Sequence, residues 1–232
     1  MKQIIKLKWV IVLVILIPIT SSGKELGVSF SYLFPKNGYF SSPIAPLSIR
    51  GVGISLGESL SLGTGVSWYN ISGVQVIKTG DFPFTTPVLG PLTTFLFPLE
   101  LTLKIPLGVH RFELIGGGFL FFNSKSRINE GNLDNEFLRE TNWKVLNGDY
   151  YITNGLGTGF DYGGSLVIYV KKNIGLTFKA MYMVGYMPIK LEGWYHGYDQ
   201  NDVYQTKNFS YKDSKMDITG WELSIGAVFT AK

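Results

Sequence analysis

The clearest pattern in the chain is a strict alternation of apolar and polar positions over Phe95–Ile105. Every odd-numbered position in this run is apolar, whereas the even-numbered positions include Glu100 and Lys104. Because a β-strand turns successive side chains to opposite faces, one face is wholly apolar and the other is charged. A turn and a second alternating run ending at Phe122 complete a hairpin. A strand of this kind suits a bilayer crossing in which the apolar face meets lipid.

The same alternation recurs along the chain and predicts eight strands, joined by connections that are alternately long and short. Short turns at one end and long loops at the other are typical of outer-membrane barrels with both termini on the periplasmic side. A lipocalin-like barrel or β-sandwich would instead place its apolar residues inside. The prediction is therefore an all-β fold, an eight-stranded antiparallel up-and-down transmembrane β-barrel. Its predicted strands are residues 25–34, 47–56, 60–70, 95–105, 110–122, 157–170, 174–186 and 217–229.

The hairpin of residues 47–70 allows more than one register. A three-residue turn at Gly57–Ser59 places Ile54 opposite Leu62 and collects small residues on the interior face. This register places Arg50 at the outer rim of the lipid face, where its long side chain could reach the headgroups.

The first residues indicate secretion. A basic start is followed by the apolar run Val10–Ile19 and by small residues before Lys24, which predicts a cleaved signal peptide over residues 1–23 and a barrel domain over residues 24–232. The apolar run is shorter than a spanning helix requires. Loss of the three lysines in the signal leaves 18 basic against 17 acidic residues. The sequence pI of about 9.0 therefore gives no indication of nucleic-acid binding.

Charged residues on the predicted interior face form a candidate polar network. Pairing about Leu107–Gly108 places Lys104 opposite Arg111. Because buried charges without partners cost several kcal/mol each, we expect ion pairs that fill the lumen, with a proton or ion path as the alternative. The predicted interior network is Glu100, Lys104, Arg111, Glu113, Lys179 and Glu222.

Aromatic residues cluster near the ends of the lipid-facing strands that adjoin the long connections. An interfacial girdle explains this placement, because aromatic rings favour the level of the headgroups. The predicted girdle is Tyr32, Trp68, Phe95, Phe122, Phe160, Tyr186 and Trp221.

Strand number, loop asymmetry, girdle and signal peptide together resemble the small eight-stranded outer-membrane barrels, of the OmpX type and the OmpA transmembrane domain. Strand Trp221–Phe229 resembles the C-terminal aromatic strand of such barrels, although Thr230–Lys232 follow it. The resemblance implies a bacterial outer-membrane location, contact with membrane lipid and lipopolysaccharide, and recognition of the last strand by the barrel-assembly machinery. It implies no cofactor and no nucleic-acid partner.

The long connections leave several functions open. We expect a non-enzymatic barrel whose extracellular loops serve surface interaction or envelope integrity. One alternative is a narrow pore or a conduit for small apolar molecules, suggested by the apolar connection 71–94. A second is a lipid A-modifying enzyme, in which His196 would act with Asp199 or Asp202 and with Ser210. Loop acids could also bind Ca²⁺ or Mg²⁺, although they lack the spacing of a calcium loop; they are Glu130, Asp134, Glu136, Asp199 and Asp202.

Overall fold

The computed structural model describes residues 25–41, 47–77 and 83–230 of the chain. The predicted signal peptide lies outside these residues. The described part contains eleven strands and one helix. They are β1 (Glu25–Pro35), β2 (Gly38–Ser41), β3 (Leu47–Ser55), β4 (Leu60–Ile77), β5 (Leu89–Leu107), β6 (His110–Ile128), α1 (Glu130–Thr141), β7 (Val145–Asn154), β8 (Gly157–Lys171), β9 (Ile174–Tyr198), β10 (Tyr204–Asp217) and β11 (Gly220–Thr230).

Eight of these strands close into an antiparallel ring, which confirms the predicted barrel. The order around the ring is β1, β3, β4, β5, β6, β8, β9 and β11, and β11 pairs with β1 from Phe34↔Trp221 to Glu25↔Thr230. The three short turns lie at the same end of the ring as Glu25 and Thr230, and we call this the turn end. We call the opposite end the extended end. Ile54 pairs with Leu62, as the three-residue turn predicts.

The two faces of the ring have the predicted polarity. Leu99 is 54% exposed on the outer face, whereas the neighbouring Glu100 is 6% exposed on the inner face. Phe30, Phe178 and Ile225 are exposed in the same way on other strands. The outer surface of the ring is therefore apolar and the lumen contains the charges, the arrangement of a barrel placed in lipid.

The predicted long connections are largely regular structure, and the assignment of residues 123–156 and 187–216 as loops is wrong. The apolar connection 71–94 continues β4 and β5, which pair as far as Val74↔Leu89. Residues 187–216 continue β9 and form β10, which also pairs with β4 at Met216↔Val76. Residues 123–156 extend β6 and contain α1 and β7. We call these extensions, together with α1, β7 and β10, the cap.

The cap has an aromatic core that covers the extended end. Strands β7, β9 and β10 form a three-stranded sheet, and α1 packs on its inner face through the buried Leu133 and Phe137. Asn129 caps the start of α1, and Asn142 ends it in a left-handed conformation at φ 56°. Within the described residues, no helix is long and apolar enough to span a membrane.

The apolar connection supplies part of this core. Phe84, Val88 and Leu89 are all buried in the cap, whereas Phe82 lies outside the described residues. The Oε1 atom of Glu136 on α1 accepts hydrogen bonds from the backbone N–H groups of Thr85 (2.8 Å) and Thr86 (2.7 Å) and from both hydroxyls. Burial raises the pKa of Glu136, but these hydrogen bonds outweigh it and hold the pKa below its ordinary value. An ionised carboxylate thus ties residues 85–86 to the helix.

Candidate functional site

A β-bulge at Gly51 turns Arg50 into the lumen, so its predicted position at the lipid rim is wrong. The register between β3 and β4 shifts between Arg50 and Val52, and Gly51 has φ +88°, which favours glycine. An extra residue in a strand reverses the face of every side chain beyond it. Arg50 therefore lies on the inner face, together with Ser48. A strict alternation of faces without a bulge could not predict this position.

Arg50 is the centre of a buried ion cluster near the middle of the barrel. Its Nη1 atom donates to Glu100, and Nη2 donates to both carboxylate oxygens of Glu222 at 2.9 and 3.1 Å. Its Nε and Nη2 atoms donate to Ser67 Oγ at 3.1 and 2.9 Å. Lys179 Nζ lies 3.3 Å from Glu100 Oε1. The guanidinium thereby joins β3 to the strands of its partners, which are β4, β5 and β11.

Small hydroxyl side chains complete this level of the lumen. Ser31 bonds to Ser48 and to Ser224 at 2.8 Å each, and Ser48 bonds to Ser67 at 2.8 Å. Ser224 donates to Glu222 at 3.2 Å. These serines satisfy buried polar groups in a space too narrow for larger side chains.

The sequence prediction missed Asp161, which belongs to the same cluster. Its side chain is fully buried, and neither carboxylate oxygen has a hydrogen-bond partner among the described residues. Its nearest opposite charge is Arg50 Nη1 at 4.0 Å. Asp161 brings the cluster to three carboxylates, with Glu100 and Glu222, against the two cations of Arg50 and Lys179. Its place on the polar face of β8 was the available signal.

A second ion-pair group lies closer to the turn end. Glu25, which the prediction also missed, accepts from Lys104 Nζ at 3.0 Å and from Arg111 at 2.7 and 2.9 Å. Arg111 also contacts Glu113 at 2.7 Å. In the strand register Lys104 lies directly opposite Glu113 and not opposite Arg111, because the turn is centred on Gly108 and Val109. The six predicted network residues thus divide between two groups.

A cavity of about 460 Å³ lies between the ion cluster and the turn end. Its lining includes Arg50, Lys179 and the Glu25 group, together with Glu58 in the turn between β3 and β4. Apolar side chains, among them Ile54 and Ile115, also line this space.

Above the ion cluster the lumen is filled with apolar side chains. Tyr69, Leu96, Phe121 and Met183 are 0% exposed, and Phe119 is 4% exposed. These residues belong to the same hydrophobic cluster as the core of the cap. The lumen thus changes from polar to apolar along its axis. The sequence predicted a polar, mostly filled interior, and in this half the interior is filled but apolar.

Aromatic rings of the predicted girdle lie on the outer face of the barrel. Trp68, Phe95 and Phe122 are neighbours on adjacent strands, with ring centroids 6.2 and 5.6 Å apart. Trp221 contacts Tyr182 at 5.3 Å and is 52% exposed. Their anchoring at a membrane interface stays a prediction.

The structure does not assemble the candidate catalytic set around His196. His196 pairs with Thr206, whereas Ser210 pairs with Glu192, which places Ser210 about 13 Å farther along the strand. Asp199 accepts the N–H groups of Asn201 and Val203, and these bonds lower its pKa. Asp202 bonds to Lys144 at 2.6 Å.

Two of the other three loop acids, Asp134 and Glu136, also have partners within the protein. Asp134 accepts a hydrogen bond from Tyr150, and burial raises the pKa of Asp134. Glu136 is occupied by Thr85 and Thr86. Among the described residues no group of three or more histidine or acidic side chains is placed to hold a metal ion.

Closed ring, apolar exterior, charged lumen and alternating connection lengths define a small eight-stranded barrel of the outer-membrane class. No protein-family model matches the sequence, and the search of curated proteins found no matching relative.

Several solved outer-membrane proteins are similar in structure. The chain is similar to OprG from Pseudomonas aeruginosa, with 8% identity, a TM-score of 0.49, and coverage of 88% of this chain and 93% of that one. It is similar to OmpW from Escherichia coli, with 8% identity, a TM-score of 0.41, and coverage of 91% and 99%. A third similar structure is the N-terminal barrel domain of Pseudomonas aeruginosa OprF, with 9% identity, a TM-score of 0.38, and coverage of 89% and 96%.

Proposed function

We propose that this protein is a non-enzymatic outer-membrane barrel with a closed lumen, whose cap contacts molecules at the cell surface. The proposal rests on one observation, the continuous filling of the lumen from the Arg50 cluster to Phe137 in the cap. Successive levels hold paired charges, fully buried apolar side chains and the aromatic core under α1. A filled lumen favours a role for the outer surface over transport through the centre.

Closure of the lumen predicts the absence of ion conductance. The purified protein, reconstituted in planar bilayers, should give no current steps, because ions would have to displace both the Arg50 cluster and the side chains of Leu96 and Phe121. A general porin reconstituted in the same lipid supplies the positive control. Reproducible steps from the barrel, absent from bilayers that received detergent alone, would contradict the proposal.

The cap is further proposed to face the exterior, with both termini in the periplasm. Its motivation is the asymmetry between the short turns and the structured extended end. The sequence contains no cysteine, so single cysteines report orientation without background labelling. On intact cells a membrane-impermeant maleimide should label Asn201→Cys in the cap. It should reach Val109→Cys at the turn end only after the outer membrane is opened, and the reverse result would invert the orientation.

Catalysis and apolar transport are not part of this proposal. His196, Asp199 and Ser210 are held apart by strand pairing and by other hydrogen bonds. The cavity that the lumen does contain is charged, and it ends at the Arg50 cluster.

A further inference from the structure

The cap sheet has two faces of different character. Its inner face packs against α1, where Tyr195 and Phe209 lie 4.6 and 4.8 Å from the ring of Phe137. Its outer face is formed by the alternate residues of β7, β9 and β10, and no other described element covers it. Tyr198 and Tyr204 are 47% and 55% exposed there.

Aromatic rings form a continuous row on this outer face. Trp194 and His196 stack with centroids 5.1 Å apart and ring planes 27° apart. His196 lies 5.8 Å from Tyr204, which lies 5.4 Å from Tyr198. The row therefore offers neighbouring flat apolar surfaces on a sheet that is held rigid from behind by α1.

Hydrogen-bonding side chains border the row on both sides. Asp149 and Asn208 pair across the strands with Trp194, and Asn147 and Thr206 pair with His196, so all four share the outer face. All four are exposed, and none of these side chains forms a hydrogen bond within the described part of the chain. The amides of Asn147 and Asn208 can both donate to and accept from hydroxyl groups, and the carboxylate of Asp149 can accept from them.

We propose that this face binds the phosphate-free oligosaccharide of the surrounding outer-leaflet glycolipid. Sugar rings present flat C–H faces that stack on aromatic rings, and hydroxyl edges that need donors and acceptors at the border of the stack. The inference rests on the proposed outward orientation of the cap. It specifies the chemical class of the surface molecule that the cap contacts.

Charge and position support this occupant over others. Asp149 has no ion-pair partner among the described residues, and the neighbouring Lys190 and Glu192 form an ion pair, so the described face has no excess positive charge to attract phosphate or nucleic acid. Trp194 lies eight residues beyond the lipid-facing Tyr186 on β9, about 26 Å along the strand. The same outer face therefore continues from the lipid-facing surface to the height at which glycolipid sugars stand.

The test is a titration of the purified barrel, in neutral detergent, with core oligosaccharide that has been cleaved from lipopolysaccharide and dephosphorylated. Saturation-transfer NMR reads contact with the sugar, and its dependence on sugar concentration gives the affinity without relying on the fluorescence of Trp194. Binding should weaken about tenfold in Trp194→Ala, which removes a stacking surface. Trp194→Phe keeps a ring and should stay within about threefold of the parent protein. Asn208→Ala offers a second test that leaves every ring in place and should weaken binding severalfold.

Each outcome decides the question. The inference would be overturned if the parent protein did not bind the sugar at millimolar concentration. It would also be overturned if Trp194→Ala and Asn208→Ala bound the sugar as tightly as the parent protein does. Binding to vesicles of lipid A that carries no core oligosaccharide, in preference to the oligosaccharide, would also overturn it and would assign the face to phosphate. Because the titration uses purified protein, it is independent of the labelling of Asn201→Cys on cells. A failure of the proposed orientation and a failure of sugar binding are therefore seen separately.

Discussion

Replacement of Arg50 by methionine is expected to lower the free energy of unfolding by about 3–5 kcal/mol, the usual cost of removing one partner from a buried ion pair. The guanidinium bonds to Glu100, to both oxygens of Glu222 and to Ser67. Methionine fills a similar volume, so the loss of stability would not come from a cavity. It would come from the carboxylates, which stay buried with Lys179 as the one remaining cation of the cluster.

The measurement is urea unfolding of the barrel in lipid vesicles, followed by tryptophan fluorescence. Asp161→Asn is the matched control, because it changes a buried charge in the same cluster that has no hydrogen-bond partner among the described residues. It should leave stability unchanged or raise it, since it removes the excess carboxylate. A loss below about 1 kcal/mol for Arg50→Met would show that the cluster relaxes or hydrates and is not the structural centre of the lumen.

The alternation of residues predicted the ring well because the side-chain period of a strand is fixed at two. Glu100 and Lys104 point into the lumen for the same reason that Leu99 and Leu103 point out. Partners across the lumen were harder to predict, because they depend on the stagger of the strands. Lys104 meets Glu25 across 79 positions of sequence, a contact that no local pattern records.

Arg50 shows where a period-two prediction fails. A single bulge at Gly51 reverses the face of everything on one side of it, and so it moved the central cation from the lipid side to the lumen side. The available signal was the glycine itself, in a strand whose one other glycine, Gly53, does not have a positive φ.

Strands β7 and β10 were mistaken for loops because their outer faces are polar. In the membrane an outward-facing side chain must be apolar, whereas Asn147, Thr206 and Asn208 face outward in the cap. Their alternation with Leu146, Lys207 and Phe209 contains the signal, although Lys207 weakens it. Lys207 places its ammonium 5.3 Å from the ring centre of Trp143, so a charge occupies a position on the packed face.

Replacement of Phe137 by alanine should unfold the cap locally while the ring stays closed. Phe137 is 1% exposed and contacts the rings of Phe84, Tyr150, Tyr195 and Phe209. Truncation of a buried phenylalanine costs about 3–5 kcal/mol. Because Leu133 and Phe137 are the two fully buried apolar side chains of α1, with Leu138 packed at the edge of the core, a loss of this size should release the helix from the sheet.

Hydrogen exchange resolves the cap from the ring. In Phe137→Ala the amides of α1 and β7 should lose protection by a factor of 100 or more, about 3 kcal/mol of opening free energy, while those of β5 and β6 near Glu100 keep theirs. Phe178→Ala is the matched control, because the same residue type is removed from the outer surface, where Phe178 is 42% exposed. It should leave protection in α1 unchanged. If the ring amides lost protection together with α1, cap and ring would form one cooperative unit. The apolar side chains that fill the lumen from Leu96 to Phe121 would then transmit the loss from one to the other.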